Sequence, residues 1–402
     1  MTHLRTLTKR QLLVRRSAAQ LLNRRISGQP EAAVRALLAV QAQDRSAWRL
    51  ALRARVEAIT AADVNVALTS KRSLVVAWLN RGTLHLVCAE DYPWLRALTA
   101  PTQLAGNRRR LAQEGLLPDD VERGVACIER SLTTEGPLGR AQLRERVAAL
   151  GIRTEGQAIV HLLFAAVLRG VAVLGPVRDG EHLFAHTREW LGIEPRPPEP
   201  LMGEARDVAL AELARRYMRG HGPATAGDLA KWAGLPLRYA RVGLSIVAAE
   251  LVEFEGGLLD LADREGLAND PESGSDPGTL PPRLLPAFDP CLLGWREREP
   301  FLRRADEPRA IPAGGGLFRP VATVDGVVAA TWGTRRQGDR VAVRIEPFEP
   351  FEPWAQVALT TEAADVARFE GRSLSAIPGH RTLRPPDATG VDERVGGRTL
   401  DV

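Results

Sequence analysis

Gly-Pro-Leu-Gly-Arg-Ala-Gln-Leu, residues 136–143, aligns without a gap with Gly-Pro-Ala-Thr-Ala-Gly-Asp-Leu, residues 222–229. Each stretch precedes an apolar helical segment, a turn and a second helical segment, predicted over 156–169 and 237–250. The second segment then leads into two strand-like runs separated by a glycine-marked turn. Because turn, helix, helix and hairpin recur in register, the sequence predicts a structural repeat.

The same order appears once before, near the N-terminus. Thr60 and Asp63 have the spacing of a capping box and predict the start of a helix. Residues 80–83, Asn-Arg-Gly-Thr, form a tight-turn signal between strand-like runs over 74–79 and 84–87. Short helices followed by a hairpin are typical of a winged helix, so we expect three such units. Three helix-and-hairpin units stacked for stability alone are the alternative.

The last part of the chain changes to strand. A proline-rich connector over 193–200 and a linker over 268–286 precede it. Asp325-Gly326 between apolar runs is a strong hairpin signal. Strands are predicted over 317–324, 327–331 and 340–345, and a final helix over 362–369. We predict an α+β protein with winged-helix units over 1–125, 126–195 and 196–268, a linker and C-terminal β-rich domain over 269–378, and a disordered tail over 379–402.

Composition limits the class of protein. The chain has 402 residues, 45% of them hydrophobic, and no apolar run long enough to cross a bilayer, so we expect a cytoplasmic globular protein. Its three cysteines are far apart in sequence and match neither a disulfide framework nor a zinc motif. The net charge of +5 has the sign of a nucleic-acid binder. Only three of the 54 basic residues are lysine, so phosphate contacts would be mostly guanidinium contacts.

Gln41 and Gln43 are candidates for a functional site. They follow an amphipathic helical run and bracket the small residue Ala42. If the chain is extended there, residues two apart face the same way, so both amides enter one space while Ala42 packs behind them. Glutamines that are solvated or bonded to the backbone at a helix end are the alternative.

Other chemistries find less support. His182 and His186 lie four apart, but no further ligand motif accompanies them, so we expect no metal. The chain has no Gly-x-Ser-x-Gly, and His85 and Cys88 would face opposite sides of a strand. A serine or cysteine hydrolase is therefore not predicted.

Several blocks, taken together and in order, resemble the AlkZ-like winged-helix DNA glycosylases. The resemblance implies a C-shaped protein whose concave channel holds duplex DNA, and a family activity that removes alkylated bases, notably N7-alkylguanine, and unhooks interstrand crosslinks in its antibiotic-resistance members. The family motif of Gln, an apolar residue, then Gln or Asp assigns the catalytic pair to Gln41 and Gln43. The blocks are Val40-Gln41-Ala42-Gln43, Trp78 to His85 with Asp91 and Trp94, Phe288-Asp289-Pro290 with Gly294-Trp295, and Phe318-Arg319-Pro320 with Asp325-Gly326 and Trp332.

The chemistry of the substrate explains how two amides could serve as the catalytic groups. An N7-alkylguanine already carries positive charge and leaves as a neutral base, so it needs no general acid. An amide carbonyl can orient water and offer partial negative charge to an oxocarbenium-like sugar. We therefore expect a monofunctional hydrolase without metal or organic cofactor, and the shortage of lysine agrees because lyase-type glycosylases use an amine nucleophile.

Neighbouring residues supply candidate DNA contacts, each with a structural alternative. Asp44 is a rival base, although a helix N-cap before residues 45–52 is favoured. Trp48 is a stacking group or part of the core. The candidate contacts to DNA are Arg45, Trp48, Arg81, His85, Arg108 and Arg109, and for the arginine run at 108–110 a solvated surface is the alternative.

The leading hypothesis is thus a monomeric glycosylase acting on double-stranded DNA that contains alkylated purines or crosslinks. A non-catalytic winged-helix DNA-binding or regulatory protein is the second hypothesis, and a protein-interaction scaffold is the third. Salt-dependent duplex binding separates the scaffold from the other two. The paired amides favour the glycosylase over the regulator.

Overall fold

A computed structural model describes residues 4–44, 47–178, 180–264, 279–313 and 316–375. Within these ranges, no helix combines the length and the apolar character needed to cross a membrane. The predicted tail over 379–402 and most of the predicted linker lie outside the described residues.

The N-terminal region folds into short helices and a hairpin, as predicted. Thr8 with Gln11 and Thr60 with Asp63 form the capping boxes of two helices. The elements are α1 (Lys9–Ala19), α2 (Pro30–Leu37), β1 (Val40–Gln41), α3 (Ala47–Arg53), α4 (Ala61–Thr69), β2 (Leu74–Leu79) and β3 (Thr83–Cys88).

A long helix, α5 (Tyr92–Gln113), follows and was not predicted. The repeat comes next. Its first copy contains α6 (Pro118–Glu135), α7 (Arg140–Ala148), α8 (Ala158–Leu168), β4 (Ala172–Arg178), β5 (Glu181–His186) and α9 (Thr187–Leu191). Its second copy contains α10 (Gly203–His221), α11 (Ala226–Ala233), α12 (Leu237–Ile246), β6 (Leu251–Phe254) and β7 (Leu258–Leu261).

The aligned Gly-Pro stretches pair with a hairpin strand in the same way in both copies. Leu138 forms an isolated antiparallel bridge with Phe184, and Ala224 forms one with Leu259. Each bridge ties the segment after the first helix of its copy to the second strand of the hairpin. In the N-terminal region β1 pairs with β3 in the same way. Two helices followed by a hairpin thus occur in each of these three regions of the described chain.

The first two hairpins share one sheet, which the sequence did not predict. The strand order is β1-β3-β2-β4-β5, and Val76 of β2 pairs antiparallel with Leu174 of β4. Val76 is 2% exposed and Leu174 is 6% exposed, so burial accompanies the junction. The third hairpin, β6 with β7, forms a separate two-stranded sheet.

The C-terminal domain is a second five-stranded sheet, ordered β12-β11-β10-β9-β8. Asp325 and Gly326, with φ of 49° and 77°, form the predicted turn between β9 and β10. The predicted linker ends earlier than expected, because Leu284 and Leu285 are buried in a strand. The elements are β8 (Arg283–Leu285), α13 (Pro290–Leu293), α14 (Glu307–Ala310), β9 (Val321–Val324), β10 (Val327–Gln337), β11 (Arg340–Pro347), α15 (Pro353–Phe369) and β12 (Ser373–Ser375).

Other boundaries also differ from the prediction, such as the end of β10, which lies at Gln337 rather than at residue 331. The last helix begins at Pro353 rather than at residue 362, because proline is favourable in the first turn of a helix. The first long strand of the domain begins at Val321 rather than at residue 317, directly after Pro320, which has no backbone N–H to donate to a ladder.

Candidate active site

Gln41 and Gln43 lie side by side on an extended segment. In β1, Gln41 pairs with His85 of β3, and the backbone N–H of Ala42 donates to the carbonyl of Leu84 at 2.7 Å. Ala42 is 5% exposed and packs behind the pair. The Nε2 of Gln41 donates to the Oε1 of Gln43. The predicted same-side placement of the two amides is therefore present.

The guanidinium of Arg81 orients the pair. Its Nη2 donates to the Oε1 of Gln41, and its Nη1 donates to the carbonyl of Trp232 at 3.2 Å. Because a guanidinium can only donate, Gln41 turns its carbonyl toward Arg81 and its amide N–H toward Gln43. A donor chain thus runs from Arg81 through Gln41 to Gln43, and such chains strengthen by mutual polarisation.

The two amides differ in exposure. Gln41 is 6% exposed, whereas Gln43 is an exposed residue. Each carbonyl oxygen has two lone pairs, so the Gln43 oxygen keeps one after accepting from Gln41. Gln43 is therefore the member of the pair that can touch a substrate, and Gln41 is held in place behind it.

Positive charge collects behind the pair. Burial lowers the pKa of Arg81, although a guanidinium stays protonated at neutral pH. Burial also lowers the pKa of Lys231 on α11, with Arg298 and Arg81 adding to the effect. These cations come from three separate parts of the chain, and one of them, Arg298, is paired with Glu307 at 2.7 Å.

Asp44 caps a helix, as the favoured alternative predicted. Its Oδ1 accepts from the backbone N–H of Ala47 at 2.9 Å, at the start of α3. Arg45, a predicted DNA contact, lies outside the described residues.

His85 and Trp48 are both buried. His85 is 1% exposed, its Nδ1 lies 2.8 Å from the carbonyl of Thr83, and burial lowers its pKa to about 3 with the charge of Arg81 adding to the shift. Trp48 is 1% exposed, and its ring lies 5.7 Å from the ring of His182. These positions favour the structural alternatives for both residues, a neutral histidine behind the pair and a core tryptophan.

Arg108 and Arg109 are exposed in the last turns of α5. No contact among the described residues joins them to the glutamine pair. Their placement is compatible with either a phosphate contact or a solvated surface.

The third unit supplies site residues that sequence reasoning missed. Trp232 accepts from Arg81 through its backbone, and Gly234 lies against the Arg81 backbone at the end of α11. The only local signal was a glycine where a helix ends. Such a signal predicts the cap and says nothing about the distant turn that packs on it.

One cluster of potential metal ligands occurs among the described residues. Ligand atoms of Cys88, Glu90 and Asp91 lie within 4.8 Å of one another. Asp91 is already bound by both terminal nitrogens of Arg216, at 3.1 and 3.0 Å. Burial raises the pKa of Cys88 to about 12, so the thiol keeps its proton. Both oxygens of the Asp91 carboxylate are thus already taken by an arginine within this cluster.

Comparison with known proteins extends the similarity beyond this site. A family model described as DNA glycosylase AlkZ-like matches residues 34–369, a range that includes the glutamine pair, Arg81 and most of the C-terminal domain. The chain belongs to the AlkZ-like DNA glycosylase family. It is therefore an enzyme, and the regulator and scaffold hypotheses are set aside.

Both the sequence and the fold resemble DNA glycosylases of Streptomyces sahachiroi. The chain is 27% identical over 387 residues to an interstrand DNA cross-link repair glycosylase of that organism, covering 92% of this chain and 98% of the relative. The solved structure of the S. sahachiroi DNA glycosylase AlkZ matches with a TM-score of 0.70 at 25% identity, covering 92% of this chain and all of that one. The predicted mixture of helices and sheets is confirmed.

Proposed function

We propose that this glycosylase hydrolyses the N-glycosidic bond of cationic alkylated purines in duplex DNA, releases N7-alkylguanine, and unhooks interstrand crosslinks made through that position. The observation that carries the proposal is the donor chain from Arg81 through Gln41 to Gln43, which presents one oriented amide at the surface. The crosslink part rests on the relative, which is named an interstrand DNA cross-link repair glycosylase.

The reaction needs only water and the two amides. As the bond from the sugar C1′ to N9 breaks, its electron pair neutralises the cationic purine, so the leaving group requires no proton. The carbonyl oxygen of Gln43 faces the oxocarbenium-like carbon and orients a water molecule toward it. The water oxygen bonds to C1′ and its proton passes to solvent. Gln41 is a positioning residue, because it acts by holding Gln43.

The surrounding assignments belong to the same proposal. The three helix-and-hairpin units act as winged helices over 1–125, 126–195 and 196–268, and the domain over 269–378 completes a channel for the duplex. Arg45, Arg108 and Arg109 bind phosphates there, and one copy of the chain acts alone on cytoplasmic DNA. The predominance of arginine among the basic residues supports such contacts, because guanidinium binds phosphate bidentately.

Single-turnover release of 7-methylguanine from a labelled duplex tests the proposal. Gln43→Ala is expected to slow release about 100-fold or more, the loss typical of removing one preorganised polar group from a transition state. Gln41→Ala is expected to slow it similarly, because the remaining amide loses its orientation. Gln356→Ala is the matched control, since Gln356 is an exposed glutamine on α15.

Circular dichroism and duplex binding confirm that each variant is folded. If the native protein binds duplex but releases no base from either a methylated or a crosslinked substrate, the proposed reaction is wrong. If both glutamine variants keep the native rate, the reaction stands and the pair is not its catalytic centre.

A further inference from the structure

Lys231, on α11, lies beside the arginine that orients the glutamine pair. The next residue, Trp232, accepts through its backbone carbonyl from Nη1 of Arg81 at 3.2 Å, and Nη2 of Arg81 donates to Gln41. Lys231 is an exposed residue. Burial of part of the side chain lowers its pKa, and the charges of Arg298 and Arg81 lower it further. An exposed ammonium group therefore stands close to the guanidinium behind the pair.

Arg296, which follows α13, supplies a second cation next to Lys231. Its backbone N–H donates to the Oδ1 of Asp228 in α11 at 2.8 Å, and its carbonyl accepts from the Nζ of Lys231 at 3.3 Å. The guanidinium lies along α11, where a Cβ atom at Gly227 would be 3.2 Å from its Nη1. Arg296 is also exposed. These contacts hold the two cationic side chains next to each other on α11.

Neither cation is neutralised by a partner. Among the described residues, neither Lys231 nor Arg296 makes an ion pair with a carboxylate within 4.0 Å. Glu307 is bound to Arg298 at 2.7 Å. The charge of Glu297 favours the ammonium form of Lys231, but burial and the neighbouring arginines outweigh it. Because like charges are held together here, a bound anion would relieve their repulsion.

We propose that Lys231 and Arg296 together bind one backbone phosphate of the DNA strand that carries the damaged base, an inference that rests on the proposed function. Phosphate oxygens accept from both an ammonium group and a guanidinium fork. Both side chains rest on the helix whose end contacts Arg81, so a phosphate held here is placed relative to the element that orients Gln41. Phosphates recur at a regular spacing along a strand, and fixing one of them fixes the register of the damaged nucleotide. Lys231 and Arg296 are therefore positioning residues.

Uncharged phosphate analogues test this inference. In a duplex with one N7-methylguanine, each phosphate within three nucleotides of the lesion is replaced in turn by a methylphosphonate. A 2′-fluoro sugar at the damaged nucleotide keeps the base attached, because fluorine destabilises an oxocarbenium-like transition state. Dissociation constants are measured for the native enzyme, for Lys231→Gln and Arg296→Gln, and for the double variant. Lys231→Arg keeps the charge, and Lys71→Gln is the matched control, since Lys71 is an exposed lysine in the turn after α4.

The native enzyme is expected to lose about tenfold or more in affinity when one particular phosphate is neutralised, because two charge-assisted contacts are lost. Each single glutamine variant should bind the fully charged duplex about fivefold more weakly, with the slope of log K against log salt reduced by about 1. In the double variant, neutralising the same phosphate should cost less than about twofold, because its partners are already missing. Lys231→Arg should restore most of the affinity, and Lys71→Gln should behave as native.

Three results would overturn the phosphate contact. They are an equal penalty at every phosphate, an unchanged salt slope in both single variants, and an equal penalty in the native enzyme and the double variant. Release of 7-methylguanine is followed separately on the duplex without fluorine. Native enzyme that shows the phosphate dependence but releases no base would contradict the proposed function and still support the contact.

Discussion

Gly234 and Arg81 pack so closely that no side chain fits between them. A Cβ atom at Gly234 would lie 2.6 Å from the Cα of Arg81 and 2.9 Å from its backbone nitrogen. Gly234 ends α11 in the left-handed conformation, with φ of 68°. The third unit therefore sets the position of the guanidinium that orients Gln41.

Replacing Gly234 is expected to impair both stability and activity. In Gly234→Ala the added methyl group meets backbone rather than a flexible side chain, so the turn at Arg81 must shift. The free energy of unfolding should fall by about 1–3 kcal/mol from overpacking, in addition to about 1 kcal/mol for the left-handed backbone. Thermal unfolding and single-turnover release measure the two effects.

Gly192→Ala is a closely matched control. Gly192 also ends a helix in the left-handed conformation, with φ of 70°, and a Cβ atom there would meet nothing within 4 Å. This variant should lose only the backbone contribution of about 1 kcal/mol and keep the native release rate. Equal activity in the two variants would mean that the third unit does not position the pair.

Arg81→Lys separates orientation of the pair from DNA binding. A lysine retains the charge but has no planar fork, so it cannot reach the carbonyl of Trp232 and the amide of Gln41 together. We expect release at saturating enzyme to slow at least about tenfold, with the duplex dissociation constant close to native. The reverse result, weaker binding with an unchanged rate, would make Arg81 a phosphate contact.

Arg108→Gln is expected to show that reverse pattern. Arg108 is exposed on α5, away from the pair. If it binds phosphate, the variant should bind duplex more weakly, with the slope of log K against log salt reduced by about 1, and should release base at the native rate when saturated. An unchanged salt slope would identify the arginine run as a solvated surface.

Two buried histidines predict a loss of stability in mild acid. Burial lowers the pKa of both His85 and His221 to about 3, whereas an unfolded histidine titrates near 6.5. The unfolded state therefore binds protons that the folded state excludes. Their stabilising contribution is complete above about pH 6.5 and is lost progressively as the pH falls toward 3.

Urea denaturation between about pH 6 and pH 5 measures this effect before most carboxylates titrate. Each buried histidine should add about 1.4 kcal/mol per pH unit to the slope at the acidic end of that range. His221→Phe should reduce the slope by the contribution of one histidine, whatever its effect at neutral pH. A slope that this substitution leaves unchanged would contradict the burial of His221 in the neutral form.

A buried carboxylate joins the C-terminal domain to α3. Glu362 of α15 accepts from Arg53 at 3.1 Å, from Arg283 at 3.4 Å, from Arg25, and from the backbone N–H of Leu284 at 3.2 Å. Burial by itself raises the pKa of Glu362, but the charges of Arg53 and Arg25 outweigh it and hold the pKa below the usual range. Glu362→Ala should cost about 3–5 kcal/mol, because it leaves buried arginines without their shared partner.

Thermal denaturation of this variant, beside Glu135→Ala, checks the prediction. Glu135 also pairs with an arginine, Arg146, but at an exposed position, so its loss should leave the melting temperature nearly unchanged. Similar melting temperatures for the two variants would contradict the structural importance of the buried cluster.

Local chemistry was predictable from the sequence wherever neighbouring residues decide the conformation. The turn at Asp325-Gly326 and the capping box of Thr60 and Asp63 depend on contacts within four residues, and both formed as predicted. The shared side of Gln41 and Gln43 follows from the period of an extended chain. Such features need no knowledge of the rest of the fold.

The surroundings of the pair depend on distant parts of the chain and were not predictable. Arg81 was recognised as a turn residue, but its contact with Gln41 depends on the pairing of β1 with β3 and on the close approach of Gly234. The pairing of Val76 with Leu174 joins two hairpins into one sheet, whereas the sequence predicted each hairpin as a separate two-stranded unit. Non-local pairings of this kind leave little trace in a single sequence.

The bridging strand that carries Gln41 has two counterparts, at Leu138 and Ala224, and each of the three pairs with the second strand of its own hairpin. Of the three bridging segments, only the one in the N-terminal region carries the pair Gln41 and Gln43. The same backbone pairing therefore occurs with different side chains. In one region the bridging segment carries two amides, and in the other two it carries apolar residues that pack against the hairpin. Leu138 and Ala224 are buried at the equivalent bridges, so apolar packing fills in two regions the place that the exposed end of the amide-bearing segment takes in the first.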